Sequence, residues 1–132
     1  MQHHGQCLCG AIHFEFETAR PLAPRACKCS FCRKHGARTV TDPEGSTALT
    51  LGSETIRYRF GSRATDFLIC GRCGVYVGAL AELDGRHYVT LNLNAFDDPR
   101  LDLAAEPVSY EGESGEAKAE RRRAAWTPLR PA

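Results

Sequence analysis

Cys27-Lys28-Cys29-Ser30-Phe31-Cys32 and Cys70-Gly71-Arg72-Cys73-Gly74, preceded by Cys7-Leu8-Cys9-Gly10, contain all seven cysteines of a 132-residue chain. Every cysteine lies within three residues of another. Thiols that merely fill a core have no reason to cluster in this way. A disulfide framework sits badly with the odd count, and neighbours at C-x-C spacing are poorly placed to bridge each other. Metal ligation remains. A tetrahedral zinc ion holds thiolates at about 2.3 Å, so its ligand sulfurs must converge within a few ångströms. Two sulfurs from one tight turn meet that demand, and two such turns from distant strands complete the tetrahedron. Gly10, Gly71 and Gly74 permit the tight turns, whose N–H groups then point at the sulfurs.

Seven thiols divide into four and three. Cys7, Cys9, Cys70 and Cys73 make a closed four-coordinate set, the mark of a structural zinc site. Cys27, Cys29 and Cys32 cannot close a tetrahedron alone and leave one position for water, a substrate thiol or another side chain, as in a reactive site. A partition that lends the middle motif one ligand from Cys70 or Cys73 stays open. So does an iron–sulfur cluster, although C-x-C-x-x-C lacks the usual ferredoxin spacings.

The composition is 42% hydrophobic and 25% charged, ordinary for one globular domain over residues 1–132 and too apolar for a disordered chain. No apolar run approaches the roughly 20 residues of a membrane-spanning helix. Met1-Gln2-His3-His4-Gly5 lacks the basic flank and apolar stretch of a signal peptide, which makes the reducing cytoplasm the expected compartment. The net charge of +1 argues against nucleic-acid or membrane partners. It hides an asymmetry. Residues 1–41 hold six Lys/Arg and two Asp/Glu, and no acid falls between Thr18 and Thr41. Arg20, Arg25, Lys28, Arg33, Lys34 and Arg38 therefore surround the middle cysteine motif, favouring thiolates and forming a rim for an anionic ligand.

Most of the chain reads as strand. Ala11–Glu17 alternates apolar and polar residues, and a short strand leads into Cys27. Ser30–His35 reads as a helical turn capped by Ser30 and ended at Gly36. Thr39–Ser46 reads as a loop, Thr47–Leu51 and Thr55–Phe60 as strands, and Asp66–Cys70 as the strand that delivers the second knuckle. Val75–Leu83 and Arg86–Leu93 form a hairpin across Asp84-Gly85. Ser114–Trp126 is the one longer helix, acidic early and basic late as the macrodipole prefers, with Ala124, Ala125 and Trp126 as its packing face. Its three arginines, balanced by nearby acids, point away from nucleic acid. The expected fold is mainly β with a short C-terminal helix, metal sites standing in for part of a modest core.

The same three motifs, in this order and with these gaps, resemble the glutathione-dependent formaldehyde-activating enzyme family, which shares its domain with centromere protein V. The likeness runs from Gly5 to about Pro99, including Asn94-Ala95-Phe96-Asp97-Asp98-Pro99. It implies a β-tent fold of zinc-ribbon-like antiparallel sheets. It implies a structural Zn²⁺ on Cys7, Cys9, Cys70 and Cys73 and a catalytic Zn²⁺ on Cys27, Cys29 and Cys32. It also implies a carbon–sulfur lyase that joins the thiol glutathione to formaldehyde and cleaves the adduct. The sequence departs from the family at Lys28, where histidine is frequent, and at Arg38, where apolar residues are.

The residues support that chemistry in outline. A soft thiolate suits an open trithiolate zinc site, and sulfur addition to an aldehyde suits it better than hydrolysis does. Arg33 and Lys34 are the candidate contacts for substrate carboxylates, and His35 is the nearest candidate acid. The rival reading is a non-catalytic zinc-binding module for protein interaction, its three-cysteine site closed by His13, His35 or His87. A redox sensor built on the middle thiols is a third. Nothing in the residues sets the oligomeric state.

Overall fold

Strict alternation builds the smaller sheet. In His13–Glu17 the rings of Phe14 and Phe16 are buried while His13 and Glu17 face out, the period of a strand with one dry face. The computed structural model describes residues 1–61 and 63–130. In chain order its elements are β1 (Gln2–Gln6), β2 (His13–Glu17), β3 (Arg25–Cys27), α1 (Ser30–His35), β4 (Thr39–Val40), β5 (Ser46–Thr50), β6 (Thr55–Tyr58), β7 (Asp66–Cys70), β8 (Tyr76–Leu83), β9 (Arg86–Asn92), β10 (Glu106–Val108), α2 (Gly115–Ala125) and β11 (Thr127–Pro128).

The described residues form two sheets. One runs β1-β2-β5 and the other β10-β3-β4-β9-β8-β7-β6, with β11 added against β9. All pairings are antiparallel except β10 on β3. The core lies between the sheets: Ile12, Phe14 and Phe16 from the small one meet Leu68, Val77, Leu80, Val89 and Leu91 from the large one. The fold is thus mainly β, zinc-ribbon-like, with a short C-terminal helix, as expected.

The β8–β9 hairpin turns at Asp84-Gly85, both at positive φ (55° and 79°), the twist a two-residue hairpin needs. A bulge matters more. Leu68 pairs with Gly78 but Ile69 pairs with Tyr76, so Val77 has no partner on β7. The extra residue resets the alternation. Val77 and Leu80 enter the main core, whereas Tyr76, Ala79 and Ala81 pack on the opposite face of the sheet with Phe67, Ile69, Tyr88 and Trp126. That second face carries the middle cysteine motif.

Several local expectations need correction. The strand expected from Ala11 begins at His13, because Cys7 N–H donates to the Ile12 carbonyl at 2.9 Å and draws Ala11-Ile12 into the turn. The segment read as a loop contains β4, held between β3 and β9. The cap of α1 is Cys29, not Ser30, its sulfur accepting from Cys32 N–H at 3.4 Å. Ala124 is exposed, and the packing end of α2 is Ala125 with Trp126. β1 and β10 were not expected as strands at all.

β1 depends on Gly5. A Cβ there would stand 2.1 Å from the Phe14 ring and 2.7 Å from the Ala95 carbonyl oxygen. Gly5→Ala is therefore expected to lower stability by about 1–3 kcal/mol through forced repacking. Gly115→Ala, whose new Cβ meets nothing within 4 Å, is expected to be neutral or slightly stabilising. Urea denaturation midpoints of the two variants check the contrast.

Candidate functional site

Two turns meet at one end of the sheets. Cys7 and Cys9 lie in the β1–β2 turn, closed by Gly10 at φ 83°. Cys70 ends β7 and Cys73 lies in the β7–β8 turn, closed by Gly74 at φ 82°. Their four sulfurs lie within 4.8 Å of one another. Cys7 Sγ to Cys9 Sγ is 3.7 Å and Cys9 Sγ to Cys70 Sγ is 3.6 Å. A tetrahedron with arms of about 2.3 Å has edges of about 3.8 Å, so this set fits a zinc-sized ion. Backbone N–H groups supply the surroundings that thiolates require. Ile12 N–H donates to Cys7 Sγ at 3.3 Å, and those of Arg72 and Cys73 to Cys70 Sγ at 3.4 and 3.5 Å. Donors aimed at a sulfur favour its anionic form. Cys7 and Cys70 are buried and Cys9 is exposed.

The second cluster gathers Cys27 at the end of β3, Cys29 at the cap of α1 and Cys32 inside α1, again with sulfurs within 4.8 Å. No His, Asp or Glu joins it among the described residues. The four-and-three partition is thus the one the fold makes spatially. His13 sits against the Gly10 carbonyl and His87 beside Glu82 at 3.2 Å. His35 packs against Phe31 with tilted rings, centroids 4.4 Å apart.

Electrostatics set Cys27 and Cys32 apart. A hydrogen bond from the Cys32 thiol, helped by Cys29 N–H and the charge of Arg121, lowers Cys27 to about 5 against the opposing effect of burial. The same hydrogen bond, together with burial, raises Cys32 far above the ordinary thiol range. Without a cation the cluster therefore keeps a proton on Cys32 and a thiolate on Cys27. Tyr76, re-aimed by the bulge, is buried beside the cluster. Burial and then the neighbouring cysteine charges push its phenol well up, so it stays neutral.

The three cysteines open on a cavity of about 430 Å³, a size that admits a small-molecule ligand. Phe60, Phe67, Tyr76 and Trp126 give it an aromatic wall, and Arg25, Lys28, Lys118, Arg121 and Arg122 bring cations. Of the basic stretch, Arg25 and Lys28 reach the lining. Arg33 and Lys34 stand exposed on α1 and do not line the cavity, and Arg20 and Arg38 pair with Asp42 and Asp102. Sequence reasoning missed the contribution of α2, because Arg121–Arg123 beside acids reads as a solvated helix end. It missed Tyr76 because a bulge leaves no mark in hydropathy.

A two-sheet β protein with one set of four thiols and another of three beside a cavity has the form of a zinc-ribbon-like fold whose cysteine clusters could each hold a metal ion. Within that class, residues 2–111 match the family described as glutathione-dependent formaldehyde-activating enzyme, and the chain belongs to that family. A crystal structure of a Rhodobacter sphaeroides protein is similar at 29% identity and a TM-score of 0.59, covering 79% of this chain and 97% of that one. The family acts on formaldehyde with glutathione.

Two outcomes test the geometry. An ion held by the closed set would contribute its binding energy to folding, so Cys70→Ser is expected to abolish cooperative folding, while Cys29→Ser is expected to keep the far-ultraviolet circular dichroism of the parent. When the three-cysteine site is stripped and the four-cysteine site left loaded, iodoacetamide is expected to modify Cys27 first. The sign is set by the lowered value: thiolate grows through about pH 5, so the rate levels by about pH 7. An ordinary thiol would still be gaining at about pH 8. Peptide mapping across pH reads the difference.

Proposed function

We propose that the chain is a zinc-dependent carbon–sulfur lyase that interconverts a thiol plus formaldehyde with the S-hydroxymethyl adduct. The observation that carries this reading is the open trithiol cluster: three sulfurs from β3 and α1, no fourth protein ligand among the described residues, and a cavity in front. Cys7, Cys9, Cys70 and Cys73 would hold a structural zinc ion, and Cys27, Cys29 and Cys32 a catalytic one. A zinc ion bound there supplies an electron-rich Lewis acid that keeps a substrate sulfur deprotonated at neutral pH.

The chain's own residues do the rest. Cys29 serves α1 twice, as helix cap and as ligand, so the helix start fixes its sulfur position. Tyr76 stays neutral and adds no negative charge beside three thiolates. The aromatic wall narrows solvent access to the reacting atoms. In the forward direction the thiolate sulfur adds to the aldehyde carbon and an S–C bond forms. The carbonyl π pair moves to oxygen, which takes a proton from solvent. In reverse, the hydroxyl loses that proton, the C=O bond re-forms and the S–C bond breaks with the electron pair on sulfur. We assign the anionic contacts of the substrate to the cavity cations in place of Arg33 and Lys34. Seven unbridged cysteines suit a reducing compartment, and we place the protein in the cytoplasm.

Elemental analysis of freshly purified protein is expected to find about two zinc ions per chain, falling to about one in Cys29→Ser. After cobalt substitution, glutathione is expected to alter the thiolate-to-metal absorption of the wild type and leave that of Cys29→Ser unchanged. One inert ion per chain and a spectrum indifferent to thiols would make the protein a non-catalytic zinc module.

A further inference from the structure

Arg122 differs from its neighbours on α2. Arg121 holds Glu113 at 2.9 Å and Arg123 holds Asp84 at 2.9 Å. Arg122 is the most buried of the three, at 8% exposure, yet no carboxylate stands within salt-bridge distance of it among the described residues. Its Nη1 donates to Thr65 Oγ1 and its guanidinium lies 4.7 Å over the Trp126 ring. Its Nε is buried with no hydrogen-bond partner. Burial, with Arg121 beside it, lowers its pKa to about 10 against the more distant charges of Glu113 and Cys27, neither of which it contacts, so it remains a cation at neutral pH. A buried cation with an unused donor is costly until an anion completes it.

The space for that anion is present. Arg122 lines the same cavity as Cys27, Cys29 and Cys32. Arg25 and Lys118 line it too, half-buried and without a carboxylate at salt-bridge distance among the described residues. Glu111 is the one acid of the lining, and it is exposed. Lys118 and Arg122 lie beyond residues 2–111, the segment that matches the family, so this end of the cavity is built by the chain's own C-terminal helix.

We propose that Arg122, flanked by Arg25 and Lys118, is the anion-receiving end of the cavity, and that the thiol taken at the three-cysteine cluster carries a carboxylate that reaches it. The thiol half of this statement rests on the lyase reading; the anion half rests on the burial and missing partner of Arg122. A planar guanidinium with free donors matches a carboxylate in two-point contact. The aromatic wall excludes water around the pair and strengthens it. The competing role for Arg122 is to offset the thiolate charge of the cluster and touch no ligand.

S-methylglutathione, which keeps both carboxylates and has no free thiol, separates these roles. Trp126 is the single tryptophan of the chain and sits under Arg122, so its fluorescence reports occupancy. The zinc-loaded protein is expected to bind S-methylglutathione at least roughly tenfold more tightly than its dimethyl ester, the size of a charged hydrogen bond. Arg122→Gln is expected to remove that preference, Arg122→Lys to restore part of it, and Lys118→Gln, at a half-exposed position, to weaken acid binding by about threefold with the fold unperturbed. Equal binding of acid and ester by the wild type, absence of acid binding, or an undiminished preference in both Arg122→Gln and Lys118→Gln overturns the proposal. Acid preference that depends on Arg122, in a protein whose cobalt spectrum ignores thiols, upholds the anion site and overturns the lyase reading.

Discussion

Convergence of two distant turns on one point is the constraint from which the rest of the architecture follows. Cys9 and Cys70 are 61 residues apart and their sulfurs stand 3.6 Å apart. Constraining a loop of that length changes the chain's conformational free energy by about 4 kcal/mol. Apparent binding free energies of structural zinc in small peptides are about 10–16 kcal/mol, more than enough to offset it. The link is placed where it matters. Cys7 and Cys9 follow the first strand of the small sheet, while Cys70 and Cys73 flank the bulged pair of the large one. Closing the four thiols therefore sets the angle at which Phe14 and Phe16 meet Val77 and Leu91. The C-terminal segment adds a second tie, with Thr127 on β9, its hydroxyl accepting from Asp42 N–H, and Arg130 N–H donating to the Thr47 carbonyl at 2.7 Å.

The bulge at Val77 divides labour between the two faces of the large sheet. One face is the dry core. The other receives Tyr76, Phe67 and Ile69 under α1, and Ala79, Ala81 and Tyr88 under Trp126. Small residues at 79 and 81 leave the depth that the indole of Trp126 fills, and the gap between α1 and the indole is the cavity. A single unpaired residue thus turns an ordinary antiparallel sheet into the floor of the cavity on its far side. The arrangement also explains why α1 manages with six residues. Its N-terminal cap is a ligand sulfur, its end is closed by Gly36 at φ 59°, and Phe31 is gripped by rings on β7 and β8.

What could be read from residue order was what depends on near neighbours. Cysteine spacing, the Asp84-Gly85 hairpin, the Asp66–Cys70 strand and the helix that follows Ser114 are all local, and all correspond to structure. Features that arise from contacts across the fold were not legible. β1 forms by pairing with β2, and the close approach of Gly5 to the Phe14 ring within that pair depends on a residue nine positions away. β10 is a strand only because β3 offers it a parallel edge. Arg121–Arg123 looks like a solvated charge run, yet its three members have three different surroundings, which only the path of the chain decides. The cysteine clusters were legible as ligand sets. The cavity cations were legible only at Arg25 and Lys28, where the basic stretch happens to touch the lining.

Charge explains why the two clusters are surrounded so differently. Four thiolates around a divalent ion carry a formal charge of −2, and the closed set meets this with backbone N–H donors, which bring no net charge of their own. Three thiolates around such an ion carry −1. A site that must also admit a second sulfur and a carboxylate faces mounting repulsion, since like charges about 4 Å apart at an effective dielectric near 20 cost about 4 kcal/mol. Full cations offset that repulsion directly. Arg25, Lys28, Lys118, Arg121 and Arg122 stand around the open set and none lines the closed one. Of these, Arg121 is already spoken for by Glu113 and Tyr110, and Lys28 lies in solvent, so the cations with charge to spare are Arg25, Lys118 and Arg122, the last lying over the ring of Trp126. The closed set is surrounded by neutral donors and the open set by cations, and this difference in surroundings, more than the count of sulfurs, sets the two clusters apart.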